Sequence, residues 1–149
     1  LDGVPSEPAA PATAETEVAA LSGTPEEAYE EAYGQLLRQD YEAAESGFVA
    51  FLKTYPKSKL AGNAQYWLGE SHYVRGNYKE AADAFLTGYK SFRKSQKAPD
   101  SLMKLAMSLS RLGEKDAACS AFAALESDFP KMQAQLRRRA DAERQRAGC

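Results

Sequence analysis

A repeat of 37 residues constrains this chain more than any other feature. Tyr41-Glu42-Ala43-Ala44, Tyr78-Lys79-Glu80-Ala81 and Lys115-Asp116-Ala117-Ala118 begin 37 residues apart. In the same register Ala32, Gly69 and Ala106 coincide, as do Ala44, Ala81 and Ala118, and Phe48, Phe85 and Phe122. Tyr55, Phe92 and Phe129 follow, then Lys57, Lys94 and Lys131, and Gly76 aligns with Gly113. A period in the thirties with two helices per unit is the mark of a helical solenoid, whose units bury their apolar faces only against their neighbours. The small residues let the two helices of a hairpin cross closely. The phenylalanines are expected to fill the hollow between one hairpin and the next. Pro56 and Pro130 end second helices, since proline cannot continue one; Arg93 stands at that place in the middle unit.

These signals predict helices over 25–38, 41–54, 60–75, 78–93, 99–112 and 115–128, in units of about 25–61, 62–98 and 99–130. A seventh helix over 131–146, polar on most of its surface, suits the end of a stack. Thr24 can cap the first helix, Pro25 suits its first position, and Glu26 and Glu27 complement the positive end of its dipole. Residues 1–24 are rich in Ala, Pro, Thr and Glu, with no aromatic residue and few large apolar ones. Such a stretch cannot bury enough surface to offset its ordering entropy and reads as a flexible linker. The chain begins with Leu1 and shows no basic-then-apolar leader, which reads as a processed or trimmed fragment.

Leu68-Gly69 and Tyr78-x-x-Ala81-x-x-x-Phe85 resemble tetratricopeptide repeats. More specifically, FVAFLKTYPKSKLAGNAQYWLGESHY and SQKAPDSLMKLAMSLSRLGEKDAACSAF resemble the C-terminal repeat domain of the YbgF family of periplasmic, Tol-Pal-associated proteins, over about residues 26–135. The YWLGE and KAPD segments are not demanded by a helical hairpin, which makes the resemblance specific. It implies an all-α fold, a right-handed helical-hairpin solenoid of three tetratricopeptide-like repeats plus a C-terminal capping helix. It also implies a periplasmic interaction module that binds TolA and the peptidoglycan-synthase machinery, coupling septal peptidoglycan synthesis to outer-membrane constriction. Full-length members trimerise through an N-terminal coiled coil, and none is visible in this sequence. Arg93 in place of a proline, and Phe129-Pro130-Lys131-Met132 without the usual serine, depart from the pattern.

The remaining classes of function find little support. Nine acidic residues lie between Glu15 and Glu45 against a single Arg38, and Lys131–Cys149 holds six basic residues and two acidic ones. Such runs read as solvated helix faces. Arg137-Arg138-Arg139 is short, mixed with Asp141 and Glu143, and attached to an acidic body in a chain of net charge -2, so no nucleic-acid partner is expected. No apolar run approaches a membrane span, so no direct membrane insertion is expected either. His72 is the only histidine, and the sequence offers no nucleophile motif, phosphate loop or metal-ligand spacing. An enzyme, a metal site and a cofactor are therefore not expected. Two further readings stay open: an outer-membrane assembly lipoprotein with similar repeats, and a cytosolic co-chaperone that binds peptide carboxylates.

In the repeat family the first helix of each hairpin lines the concave side. By that resemblance the binding stripe comprises Tyr29, Tyr33, Asn63, Tyr66, Glu70, Tyr73, Met103 and Met107, spaced by three and four residues so that each set shares a helical face. Tyrosine and methionine suit an adaptable peptide-binding surface, though the same residues can simply pack between hairpins. Trp67 is assigned to that packing. Cys119 and Cys149 can form one disulfide. A final helix antiparallel to the one holding Cys119 would overshoot by about 10 Å if helical to its end, and Gly148 can bend the chain back. A buried Cys119 with a frayed, free Cys149 is the alternative.

Overall fold

The computed structural model describes residues 23–149, so the linker expected over 1–24 falls outside the described residues in all but its last two positions. Seven α-helices, and no strand, occur among the described residues. They are α1 (Pro25–Leu37), α2 (Tyr41–Thr54), α3 (Ala61–Tyr73), α4 (Tyr78–Ser91), α5 (Ala98–Arg111), α6 (Lys115–Asp128) and α7 (Ala134–Arg146). Consecutive helices pack against each other, and α1, α3, α5 and α7 also touch in series. The result is an all-α helical-repeat solenoid with the first helices of the hairpins in one layer and the second helices in the other.

Local chemistry sets the helix ends. The Glu27 amide donates to Thr24 Oγ1 and the Thr24 amide donates to Glu27 Oε1, both at 3.1 Å, a reciprocal cap with Pro25 in the first turn. Each first helix closes through one left-handed residue: Gln39 (φ 66°), Gly76 (φ 80°) and Gly113 (φ 81°), which share the 37-residue register. The paired closing bonds of the Schellman turn form at all three, for example Gly76 N–H to the Tyr73 carbonyl and Asn77 N–H to the His72 carbonyl, each 3.0 Å. The second helices end at Tyr55, Phe92 and Phe129, with φ of -126°, -124° and -130°. Proline follows two of these but Arg93 follows Phe92, so the conformation does not require proline. Arg93 instead lies over the Tyr89 and Phe129 rings, at 4.7 and 5.4 Å, and pairs with Asp128 at 2.9 Å.

The core follows the repeat. Ala32, Ala44, Phe48, Ala81, Phe85, Ala106, Ala118 and Phe122 are all buried. At Gly69 an added Cβ would lie 2.5 Å from the Phe85 ring, which shows why no side chain stands there. Phe48 meets Tyr29 of its own hairpin at 6.0 Å and shares a core cluster with Ala61 and Ala64 of the next, while Phe85 meets Gly69 and Tyr66 and shares one with Leu102 and Ala106. One buried cluster serves the first hairpin and the start of the second, another the rest of the stack, and Trp67 packs against both.

The last helix starts at Ala134, three residues later than expected. Pro130 to Gln133 form a turn, closed by Met132 N–H to the Phe129 carbonyl, that tucks Met132 against the core. Helix α7 buries little besides Ala140, with Leu136 and Ala147 partly covered. At its end Gly148 (φ 85°) reverses the chain, and Cys149 N–H bonds the Arg144 carbonyl at 3.2 Å. That turn brings Cys149 to Cys119, and the two form a disulfide with Cα atoms 5.6 Å apart.

Candidate binding face

The face shared by the first helices is built from side chains four residues apart. Tyr29 and Tyr33 stack at 6.0 Å with an interplanar angle of 11°. Across the junction Trp67 lies 5.1 Å from Tyr33, and its indole N–H donates to the Tyr29 hydroxyl at 2.9 Å. Tyr66 meets Trp67 edge-on at 4.8 Å, and the Lys97 ammonium sits 4.8 Å from the Tyr66 ring and 5.3 Å from the Trp67 ring. A continuous aromatic ribbon, ended by one cation, thus crosses from the first hairpin to the second. Burial raises the Tyr29 hydroxyl above its ordinary value, against hydrogen bonds with Asn63 and Trp67 that lower it. The Tyr66 hydroxyl is pushed up further, by burial and then by the Glu70 and Asp100 carboxylates, so Tyr66 is neutral at any physiological pH.

The expected stripe divides in two. Tyr29, Tyr33, Asn63, Glu70 and Tyr73 are partly exposed, whereas Tyr66, Met103 and Met107 are buried at 6, 1 and 7 %. Met103 and Met107 belong to the same core cluster as Ala140 and Leu136 of α7. Helix α7 runs beside α5 in the place a fourth first helix would take and covers that end of the face. Below it Lys104, 4 % exposed, has its ammonium 2.6 Å from Glu70 Oε1 and 4.0 Å from the centre of the Tyr73 ring. A buried ammonium needs such partners, and these three residues lock α3 to α5. A small cleft of about 250 Å³ remains between Tyr73, Met107, Arg111, Glu143 and Arg146.

Nothing in the sequence marks Lys97, just before α5, or Lys104 within it, since a lysine normally faces water. His72 sits elsewhere, between α2 and α3. Its Nε2 is 3.7 Å from Glu45 Oε2, and Arg75 bridges from Glu45 (2.6 Å) to His72 Nδ1 (3.3 Å). Burial lowers the His72 pKa, with the Glu45 carboxylate opposing and Arg75 adding to the drop. No nucleophile stands in these contacts, and the cluster joins two hairpins. Among the described residues no group of three or more His, Cys, Asp or Glu could hold a metal ion, and no helix is long and apolar enough to cross a membrane.

The comparisons with known proteins agree with this architecture. A tetratricopeptide-repeat model matches residues 63–87 and 100–131, which fall on α3–α4 and α5–α6. Two Pseudomonas putida proteins named cell division coordinator CpoB, one of them from strain KT2440, are 45% identical to the chain over 49 residues. That stretch is 33% of this chain and 18% of each relative, so the chain matches less than a fifth of their length. Over these two hairpins the chain is similar to tetratricopeptide repeats, and over 49 residues it is similar to the cell division coordinator CpoB.

Proposed function

We propose that this domain is a non-enzymatic interaction module of a periplasmic cell division coordinator. It holds segments of TolA and of the peptidoglycan-synthase machinery against the face formed by α1 and α3. Residues 1–24 act as its tether. The observation that carries this reading is the aromatic ribbon of Tyr29, Tyr33 and Trp67: three large side chains fixed to one another yet only partly buried. Rigid, half-exposed aromatic groups lose little entropy on binding and serve as anchors. Asn63 beside them supplies a polar contact that orients a peptide backbone. Tyr66, Met103 and Met107 support the face from beneath rather than contact the partner.

Calorimetry of the 149-residue chain with the periplasmic part of TolA tests the proposal. Tyr33→Ala is expected to weaken binding at least tenfold, about 1.4 kcal/mol, while the circular dichroism of the domain stays unchanged. Unaltered affinity in both Tyr33→Ala and Asn63→Ala refutes this choice of face.

A further inference from the structure

Two clefts open on the edge of the stack where one hairpin passes to the next, and the 37-residue repeat relates them. The first, about 500 Å³, is lined among others by Ser58, Lys59, Ser91, Phe92, Lys94 and Ser95. The second, about 410 Å³, is lined among others by Ser95, Gln96, Asp128, Phe129, Lys131 and Met132. Every residue lining the first has its counterpart 37 positions later lining the second.

The two differ in charge. The second cleft contains its own acid: the Asp128 carboxylate accepts the Tyr89 hydroxyl and pairs with Arg93 at 2.9 Å. In the first cleft Ser91 takes that position, and no Asp or Glu lines it. Lys59 and Lys94 are exposed there, and neither has an ion pair among the described residues. Ser58 Oγ accepts the Leu60 amide at 3.0 Å and Ser95 Oγ accepts the Lys97 amide at 3.1 Å. Each hydroxyl keeps its own hydrogen to donate. Two lysines and two serines thus line the first cleft together with Phe92, and no acidic residue lies among them.

We propose that the first cleft binds the carboxylate of an acidic side chain, carried by an extended segment of a partner polypeptide that runs along this edge. A cleft of this size admits an extended segment with its acidic side chain to the hydroxyl donors, whereas a flat anionic lipid surface meets only the outer lysines. The surface is separate from the aromatic face above, and either can fail without the other.

The test uses the 149-residue chain and a fluorescein-labelled peptide of glycine and serine with a glutamate at every fourth position, read by anisotropy at low salt. Lys94→Glu is expected to weaken binding at least tenfold. Lys90→Glu makes the same charge change on α4 outside the cleft and is expected to weaken it less than twofold. The peptide with glutamine for glutamate is expected not to bind. Equal losses in Lys90→Glu and Lys94→Glu overturn the proposal, because diffuse attraction then accounts for binding. Lys94-dependent sedimentation with phosphatidylglycerol vesicles, without peptide binding, overturns it in favour of a membrane surface. Tyr33→Ala is expected to leave the peptide affinity alone, which separates this site from the proposed partner face.

Discussion

Gln39 is the one residue other than glycine with a positive φ among the described residues, and replacing it with glycine is expected to stabilise the domain. Its register partners are Gly76 and Gly113, and the closing bonds match: Gln39 N–H to Leu36 carbonyl at 3.0 Å and Asp40 N–H to Gln35 carbonyl at 2.9 Å. The left-handed conformation costs a residue with a Cβ roughly 1–2 kcal/mol. Glycine gives back roughly 0.5–1 kcal/mol through the larger freedom of its unfolded chain. The difference leaves Gln39→Gly more stable by about 0.5–1 kcal/mol, a rise in Tm of about 2–5 °C for a domain of this size. Gly76→Ala and Gly113→Ala supply the mirror experiment. A Cβ at either position meets nothing within 4 Å, so any loss of stability comes from the backbone alone. Thermal melts followed by circular dichroism decide the matter. A lower Tm for Gln39→Gly, or an unchanged one for Gly76→Ala, would refute the argument.

Gly69→Ala is expected to cost about 1–3 kcal/mol, because its Cβ meets the Phe85 ring at 2.5 Å inside a packed hairpin; urea unfolding reads the loss. The unreduced, denatured protein is expected to show no free thiol, and Cys149→Ser to lower stability by about 3–4 kcal/mol in the chain-entropy model for a 30-residue separation. Two titratable thiols per chain would contradict the disulfide. His72 has its folded pKa below the ordinary 6.5, so the unfolded chain binds the proton more readily. The stability this contributes is complete above that value and is lost as the pH falls below it. Urea midpoints at pH 7.5 and 5.5 should therefore fall less in His72→Gln than in the parent chain, and equal falls would contradict the shift.

The fold was legible because the repeat carries its own punctuation. Gly76, Gly113, Pro56 and Pro130 mark ends, and the small residues at 32, 69 and 106 mark crossings, so six helices fall within a residue or two of their expected bounds. The start of α7 was not legible, since Met132 enters the core only after a turn that nothing in its own spacing announces. The binding stripe was half legible. Spacing places Tyr29, Tyr33, Tyr66 and Met103 on one face, but whether that face is open depends on α7. That helix is polar nearly all round, and covers Met103 and Met107 with little more than Ala140 and Leu136. Lys104 stayed hidden for the same reason: its burial follows from Glu70 and Tyr73, 34 and 31 positions away in the sequence.

The bond between Cys119 and Cys149 gives this stack a direction. A solenoid held by nearest neighbours unravels from its ends, where a unit has a partner on one side only. Helix α7, with Ala140 as its one buried residue, would be the first to peel away, but Cys149 ties its far end back to α6. Tied to α6 at both ends, it can fray but cannot leave the stack. At the other end α1 buries only Ala28 and Ala32 and carries no such fastening. Under oxidising conditions the carboxy-terminal end of the stack is therefore held, and a reductant removes that restraint.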